Sequence, residues 1–442
     1  MPAAPEPPAP GPARSPTPSR TLAGNRDFVV FWAGETLSLY GTQVTMLALP
    51  LTAVLVFGAG PEELGLLRFA QYVPYLALAL VFGVWVDRSR RRPVMIGANV
   101  ARAVLVGLVP ALAAADVLRL PLLLVITLAI GVASVLFDVS WMSYVPTLIE
   151  DRGQLVEANS KLAVSSSSAE AAGPGIGGVL VGALTAPIAM AVDAVTFAFS
   201  VLSLLCIRSV EPRPPRSAQR QLRRELADGL RWVLGDRHLR ALALVGCCCN
   251  FFIIATTSMF LLYAVRERGL SPAALGLVLS AGAVGGVLGS LAAGTLVRRL
   301  PLGRVYAGAV TSIFLGPAVI AVASGPRPLS TAIFVAAFVL IYAGMSVSNV
   351  VIVSLRQTVT PNALMARMNA AMRTLMFGGG ALGGPAGGLL AGWLGLRPAL
   401  VVLALGSAAM LVPIILSPVS RLRRMPPPVV DLPVPDVARS TG

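Results

Sequence analysis

Residues 83–93 read GVWVDRSRRRP, and positions 87–92 alone hold four arginines and one aspartate. The stretch sits between two long apolar runs, in a chain of 442 residues that is 56% hydrophobic and only 12% charged, with a mean hydropathy of +0.79. Soluble domains run near one-quarter charged, so this deficit points to lipid as the solvent. A dense charged knot between two greasy runs then reads as a short loop at a membrane face, where arginine meets headgroups and water.

Apolar stretches of about 20 residues, each enough to cross a hydrocarbon core of roughly 30 Å, recur on both sides of the knot. They lie at 28–57, 64–86, 94–115, 121–145, 159–184 and 187–207, then at 239–264, 273–297, 305–323, 330–354, 369–391 and 397–416. The pattern predicts an all-α membrane protein with twelve transmembrane helices, spans 1–12, in two sets of six. The expected organisation is a cytoplasmic tail over 1–26, a six-helix bundle over 27–207, a cytoplasmic linker over 208–238, a second bundle over 239–418 and a tail over 419–442. The first 24 residues are rich in Pro, Ala and Ser and lack an apolar core. They read as a disordered tail, not as a cleaved signal peptide.

The formal charge of +15 would suggest nucleic acid in a soluble protein, but here the basic residues form short clusters between apolar runs. With both termini inside, 28 of the 35 basic residues fall at inner segments and span ends, while Arg119, Arg266, Arg268, Arg327 and Arg397 lie outside. Arg68 and Arg102 fall within spans. The positive-inside rule therefore predicts cytoplasmic termini. Lys161 is the one lysine, and this arginine bias with abundant Ala, Gly and Pro fits a GC-rich bacterial genome, hence a bacterial inner membrane.

Of the four cysteines, Cys206 stands alone and Cys247, Cys248 and Cys249 are contiguous. Neighbours on a helix point in different directions, so neither a disulfide nor a zinc site is expected. His238 is the lone histidine, no metal-ligand spacing occurs and no nucleophile cluster stands out, so no metal, cofactor or enzymatic reaction is expected. An ATP-driven pump would need a phosphate loop, which is missing from the sequence.

The two sets repeat each other. GVWVDRSRRR at 83–92 has a counterpart in GTLVRRLPLGR at 294–304, and GPGIGG at 173–178 has one in GPAGG at 384–388, both offset by 211. EANSKL at 157–162 and RMNAAM at 367–372 occupy matching places ahead of those glycines. Repeats related by an axis along the membrane normal place a substrate path between the halves.

On these residues the chain resembles a major facilitator superfamily transporter over 26–420. G-x-x-x-D-R-x-x-R-R at 83–92 is similar to the superfamily's loop signature between helices 2 and 3, and GPGIGG resembles the helix-5 motif of its drug/proton antiporters. GTQVTMLALPL at 41–51, ANS at 158–160, ELADGLRWVL at 225–234 and SLRQTVTPNALMARMNA at 354–370 resemble the branch of macrolide-efflux-type and enterobactin-exporter-type proteins. The chain departs from the pattern at Arg90, where a second glycine is usual, at Arg298, where the first copy has Asp87, and in a fourth span without arginine.

In the knot, Gly83 would let span 2 approach a neighbour closely, and Asp87 can pair with Arg88 and Arg91 or face the positive N-terminal end of another helix. The resemblance implies that this end belongs to span 11, near 366–373. Gly83, Asp87, Arg88 and Arg91 would then latch the halves in one access state. Arg90 and Arg92 read as anchors to anionic lipid.

Charges inside a membrane are costly and are functional candidates by default. Glu35, Arg102 and Asp138, on spans 1, 3 and 4, each lie about 7 or 8 residues from the inner end, roughly 10–12 Å at helical rise. They are expected to cluster as a proton carrier, with a static salt-bridge cluster as the competing reading. Glu170 in mid-membrane is the rival carrier, and Asp193, nearer the outer face, reads as a helix-end residue. In GPGIGG, Gly173, Pro174, Gly177 and Gly178 are expected to permit close packing and a bend between spans 5 and 8, with the serines at 165–168 satisfying carbonyls freed by the proline. Asn250, Phe251, Met376 and Phe377 are the candidates for an adaptable substrate pocket.

The expected function is a monomeric secondary transporter in contact with membrane lipid, exporting amphipathic drug-like or secondary-metabolite compounds against protons by alternating access. A siderophore or lipid-like metabolite exporter without proton coupling stays open as an alternative, as does a sensor or scaffold on a transporter fold.

Overall fold

Lipid offers backbone groups no partners, so a spanning chain must close its hydrogen bonds within each segment. The computed structural model describes residues 22–149, 152–209, 211 and 222–427. Among these residues the chain forms helices throughout. The first set is α1 (Arg26–Phe57), α2 (Pro61–Asp87), α3 (Arg91–Ala114), α4 (Leu120–Tyr144), α5 (Arg152–Ala183) and α6 (Ala186–Cys206). After α7 (Leu222–Gly235), the second set is α8 (Arg237–Arg266), α9 (Pro272–Arg299), α10 (Leu302–Val322), α11 (Arg327–Val359) and α12 (Asn362–Leu394), closed by α13 (Leu396–Ala409) and α14 (Leu411–Leu416).

Side chains fix where the helices begin. Asn25 accepts from the Phe28 amide at 3.1 Å, Asp236 from the amides of His238 and Leu239, and Ser271 from that of Ala274. α1 ends at Gly58, whose φ of 62° lies in the left-handed region where a Cβ is unwelcome.

Nine of the described spans are long and apolar enough to cross a membrane by length and composition. The remaining three of the twelve, α2, α5 and α12, have 27, 32 and 33 residues. These three sit where the two sets meet: α2 packs on α12 and α5 on α9. Within the first set α1 packs on α5 and α6, and α3 on α4 and α6; within the second, α11 packs on α9 and α10, and α12 on α8.

Two details differ from the sequence reading. The last span is broken at Met410 into α13 and α14. The segment 208–238 contains a helix, α7, whose Val233 is buried and whose Asp228 pairs with Arg367 of α12 at 3.3 Å. A Cβ at Gly229 would run into the Arg367 backbone, so the linker helix rides on the second set.

The starts of α1 and α3 and the ends of α2 and α6 share one face of the bundle, hereafter the basic face, with α7. The turns after α1 and α8 share the far face.

Candidate functional site

Three of the four candidate carrier residues come together inside the first set. Arg102 projects from α3 into the space between α1, α4 and α6, with its guanidinium carbon 3.9 Å from the Phe197 ring centroid and 5.1 Å from that of Phe137. It donates to Asn99 Oδ1 at 3.1 Å and to Thr42 Oγ1 at 3.3 Å, and its Nε is buried without a partner. Glu35 is 5% exposed, and its Oε2 is buried without a hydrogen bond. Asp138 accepts from the Tyr75 hydroxyl at 2.8 Å. The Arg102 charge acts on Glu35 and Asp138 and also on Asp193, yet no ion pair joins it to a carboxylate among the described residues. Arg102, set among three carboxylates, is therefore held by aromatic faces and neutral hydrogen bonds.

Asp193 corrects the sequence reading. It does not order a helix end but faces Gly41 of α1, buried to 1% exposure, with Thr196 Oγ1 donating to it at 3.1 Å. Tyr75 was not singled out by sequence reasoning either. Its hydroxyl holds Asp138 while its ring stacks on Phe377 of α12, with centroids 4.9 Å apart. The cluster thus reaches the second set through this aromatic pair, and Arg373 of α12, 5.6 Å from the Phe377 centroid, lies beside it.

Glu170 stands apart. It is exposed in a cleft of about 470 Å³ between α5 and α9, beside Tyr342 of α11, and is bonded by Ser166 Oγ at 3.3 Å.

The glycine motif divides by helical period. Gly173 and Gly177, four apart, face α1: a Cβ on either would meet Gln43 or Val44. Gly178 faces α9, where a Cβ would run into the Pro272 carbonyl, and a Cβ on Gly276 would run into that of Pro174. On the other seam Gly384 and Gly388 of α12 lie against Gly65 and Pro61 of α2. Helix 5 does approach span 8 closely, as expected. The serines do other work: Ser165 Oγ accepts from Trp32 Nε1 at 2.9 Å and bonds Thr36 at 2.8 Å, tying α5 to α1.

The approaches between the halves at Gly178, Gly384 and Gly388 lie toward the far face. There Arg266 of α8 also donates to the carbonyls of Gly58 and Ala59, at 2.6 and 2.8 Å. Toward the basic face Arg373 Nη1 of α12 lies 3.5 Å from Met142 Sδ, near the end of α4. The close approach expected at Gly83 is not made, since a Cβ there would meet nothing within 4 Å. These seams and the Arg266 contact close the molecule at the far face.

The knot is fastened within its own half. Glu211, just past α6, accepts from the amides of Arg91 and Arg92 at 2.8 and 3.1 Å, and Arg91 Nη1 lies 3.6 Å from it. A carboxylate thereby caps the α3 N-terminus. Arg92 is more than a lipid anchor: it donates to the terminal carbonyls of α6, Leu204 and Leu205, at 2.8 and 3.1 Å. Arg88 is exposed, and the side chain of Asp87 lies outside the described residues.

The pocket candidates split. Phe377 faces the first set through Tyr75. Met376 packs on Gly246 of α8, Asn250 bonds the carbonyl of Gly246 in its own helix at 2.9 Å, and Phe251 packs edge-on to Phe252 with its backbone against Gly383.

A profile of the Major Facilitator Superfamily matches residues 31–384. Over 377 residues the chain is 28% identical to the multidrug efflux pump Tap of Mycolicibacterium fortuitum, covering 83% of this chain and 89% of that protein. The solved structure of the nucleoside transporter NupG superposes with a TM-score of 0.70 at 11% identity, covering 88% of this chain and 98% of that one. A bacterial homologue of the iron transporter ferroportin matches at TM-score 0.66 and 20% identity in its inward-facing state, covering 89% of this chain and 99% of that one. Its outward-facing state matches at 0.56 and 21%, covering 88% and 98%. At such identities the solved structures speak for the fold alone.

Proposed function

Since the chain belongs to the Major Facilitator Superfamily and is a multi-pass membrane transporter, we propose that it exports amphipathic drug-like or secondary-metabolite compounds across the cytoplasmic membrane of a bacterium, in exchange for protons. The observation that carries this reading is the buried group of Glu35, Arg102 and Asp138, with Glu35 Oε2 unpartnered and Asp138 joined through Tyr75 to Phe377 of the other half. The likeness to a multidrug efflux pump supports the direction of transport.

On this reading the basic face is cytoplasmic, and the seams of the far face close the molecule to the outside. Substrate enters from the cytoplasm as a carboxyl of the cluster gives up its proton. Loss of that proton changes the Asp138–Tyr75 bond and the stacking of Tyr75 on Phe377, which biases the halves toward the other state. Both ligands must shift the same equilibrium for coupling to exist. In proteoliposomes, a pH gradient should drive accumulation of substrate against its gradient, and collapsing the pH gradient should end it. Undiminished export after collapse would remove proton antiport.

The orientation has its own check. In a cysteine-free background, single cysteines at 117 and 268 should label from outside intact cells and those at 90 and 300 should not. External labelling at 300 would reverse the assignment.

In the outward-open state the basic ends of the halves must meet, and there Asp87 would face the start of α12. Arg91 now pairs with Glu211, so the latch forms by exchange of partners within a short reach. Asp87→Asn should leave abundance near normal and cut export by at least about tenfold, whereas Arg92→Gln, which loses bonds to two α6 carbonyls, should lower stability with a smaller effect on turnover. Equal effects of the two on turnover would reduce the loop to a general anchor.

A further inference from the structure

The two halves differ at the break in the last span. At the repeat offset of 211, α1 corresponds to α8, and α6 to α13 with α14. A Cβ at Gly34 of α1 would run into Ser203 of α6, so these small residues let the two helices touch toward the basic face. Their counterparts are the larger Val245 and Ile414. Here the helix packed on α8 is α13, and past Met410 the chain packs on α10 as α14. The basic end of this seam holds a groove of about 450 Å³, whose lining includes Val245, Ile414 and the buried Phe314 of α10.

One wall of the groove is a single face of α8. Arg237, Arg240, Ala241 and Leu244 stand at helical spacing, the exposed arginines at the basic face and the leucine deeper. The other wall is apolar, with Pro413 and Leu416 exposed along the broken span. That span packs on α8, α10 and α12. The groove therefore lies on the flank of the second set, away from the α2–α12 and α5–α9 seams, and opens to lipid. Among the described residues no carboxylate lies within ion-pair distance of either arginine. Arg240 Nη1 donates to the Leu234 carbonyl at 2.8 Å, and the neighbouring Asp236 accepts from the amides of His238 and Leu239. The start of α8 is thus already capped. What remains is two cations above an apolar slot, at the level of the headgroups.

We propose that this groove binds an anionic phospholipid of the inner leaflet, its phosphate on Arg237 and Arg240 and one acyl chain in the slot between α8 and α14. A guanidinium suits a phosphate because it can donate two parallel hydrogen bonds, and basic pockets between spans on the cytoplasmic side attract anionic headgroups. An uncharged amphiphile would fill the slot and leave both arginines unanswered. A small anion would meet the arginines and leave the slot empty. Charge and shape together select the lipid, which completes a seam that Gly34 and Ser203 close in the first half. The leaflet follows from the orientation argued above, whereas the binding test depends neither on it nor on proton antiport.

The test uses purified, delipidated full-length protein in detergent, titrated with dioleoyl phosphatidylglycerol or dioleoyl phosphatidylcholine, with the first bound lipid read by native mass spectrometry. Wild type should bind phosphatidylglycerol about twentyfold more tightly than phosphatidylcholine, because each basic side chain beside an anionic headgroup supplies about fivefold. Arg237→Gln and Arg240→Gln should each lose about fivefold of that preference, and the double variant should treat the two lipids alike. Arg237→Lys with Arg240→Lys should retain most of it. Leu244→Trp, which crowds the slot with both arginines in place, should weaken both lipids together. Arg299→Gln removes the same charge from the basic end of α9 and should leave the preference intact. Size-exclusion profiles and the lysine variant show that the protein is folded. Equal binding of the two lipids by wild type overturns the inference, as does a preference that survives in the double glutamine variant or falls equally in Arg299→Gln. Unchanged binding in Leu244→Trp, or displacement of the lipid by excess inorganic phosphate, overturns it too, by leaving the acyl chain no part in the site.

Discussion

Export driven by a pH gradient is expected to fail in Glu35→Gln and in Asp138→Asn, with substrate binding and downhill exchange largely kept. Both changes preserve volume, and in Asp138→Asn the Tyr75 hydroxyl can still donate to the remaining carbonyl oxygen, so neither should unfold the bundle. What each removes is the ability to carry a proton. One pH unit across the membrane is worth about 1.4 kcal/mol per proton, which sustains about a tenfold gradient of a neutral substrate at one-to-one coupling. The wild type should approach that ratio and the variants should stay near equality. The sharper expectation falls on Glu35, because its Oε2 has no hydrogen bond whose loss could explain the defect structurally. If one variant still concentrates substrate, that residue is structural. If both do, the carrier role passes to Glu170.

The part of this site that was legible in the sequence is the part that depends on depth. Helical rise turns residue count into distance from the membrane face, so Glu35, Arg102 and Asp138 could be placed at similar levels on three spans before any packing was known. What was not legible depends on azimuth. A membrane helix is apolar on every side, so its periodicity does not mark the face that turns inward. Asp193 joins the cluster because α6 turns it toward Gly41, and Tyr75, one of seven tyrosines in the sequence, is distinguished only by its bond to Asp138 and the approach of Phe377. Counted in the sequence, it is one aromatic among many. The fastening of the knot was hidden for another reason: Glu211 is 120 positions from Arg91, in a segment that reads as a polar linker, and only the return of α6 to the basic face brings it over the start of α3. The repeat, by contrast, was open to reading because GPGIGG and GPAGG needed small residues at equivalent seams, one against α9 and one against α2.

Those seams yield the second large effect. Gly178→Val should abolish export while the protein still inserts and accumulates, by preventing closure of the far face. A Cβ at 178 would meet the carbonyl of Pro272 and the Cα atoms of Gly276 and Ala273, all backbone, so no side chain can swing aside and α5 and α9 must separate. Overpacking of this kind costs about 3 kcal/mol, which moves the ratio of far-face-closed to far-face-open molecules by about a hundredfold. The state with the far face open makes no such contact, so the cost falls on one state alone, and only a differential cost shifts the equilibrium. Two other glycines of the same helix grade the argument. A Cβ at Gly173 meets Cβ and Cγ of Gln43 on α1 of the same half, a cost that both states share, and a Cβ at Gly182 meets nothing within 4 Å. Export should therefore fall steeply for Gly178→Val, less for Gly173→Val and hardly at all for Gly182→Val. The conformational readout is a cysteine at Ala59, which is 1% exposed beside the Arg266 contact. In a cysteine-free background it should label rapidly from the far side in Gly178→Val and slowly in Gly182→Val. Loss of export in Gly178→Val with that cysteine still protected would mean that the glycine serves packing within one state and takes no part in the alternation.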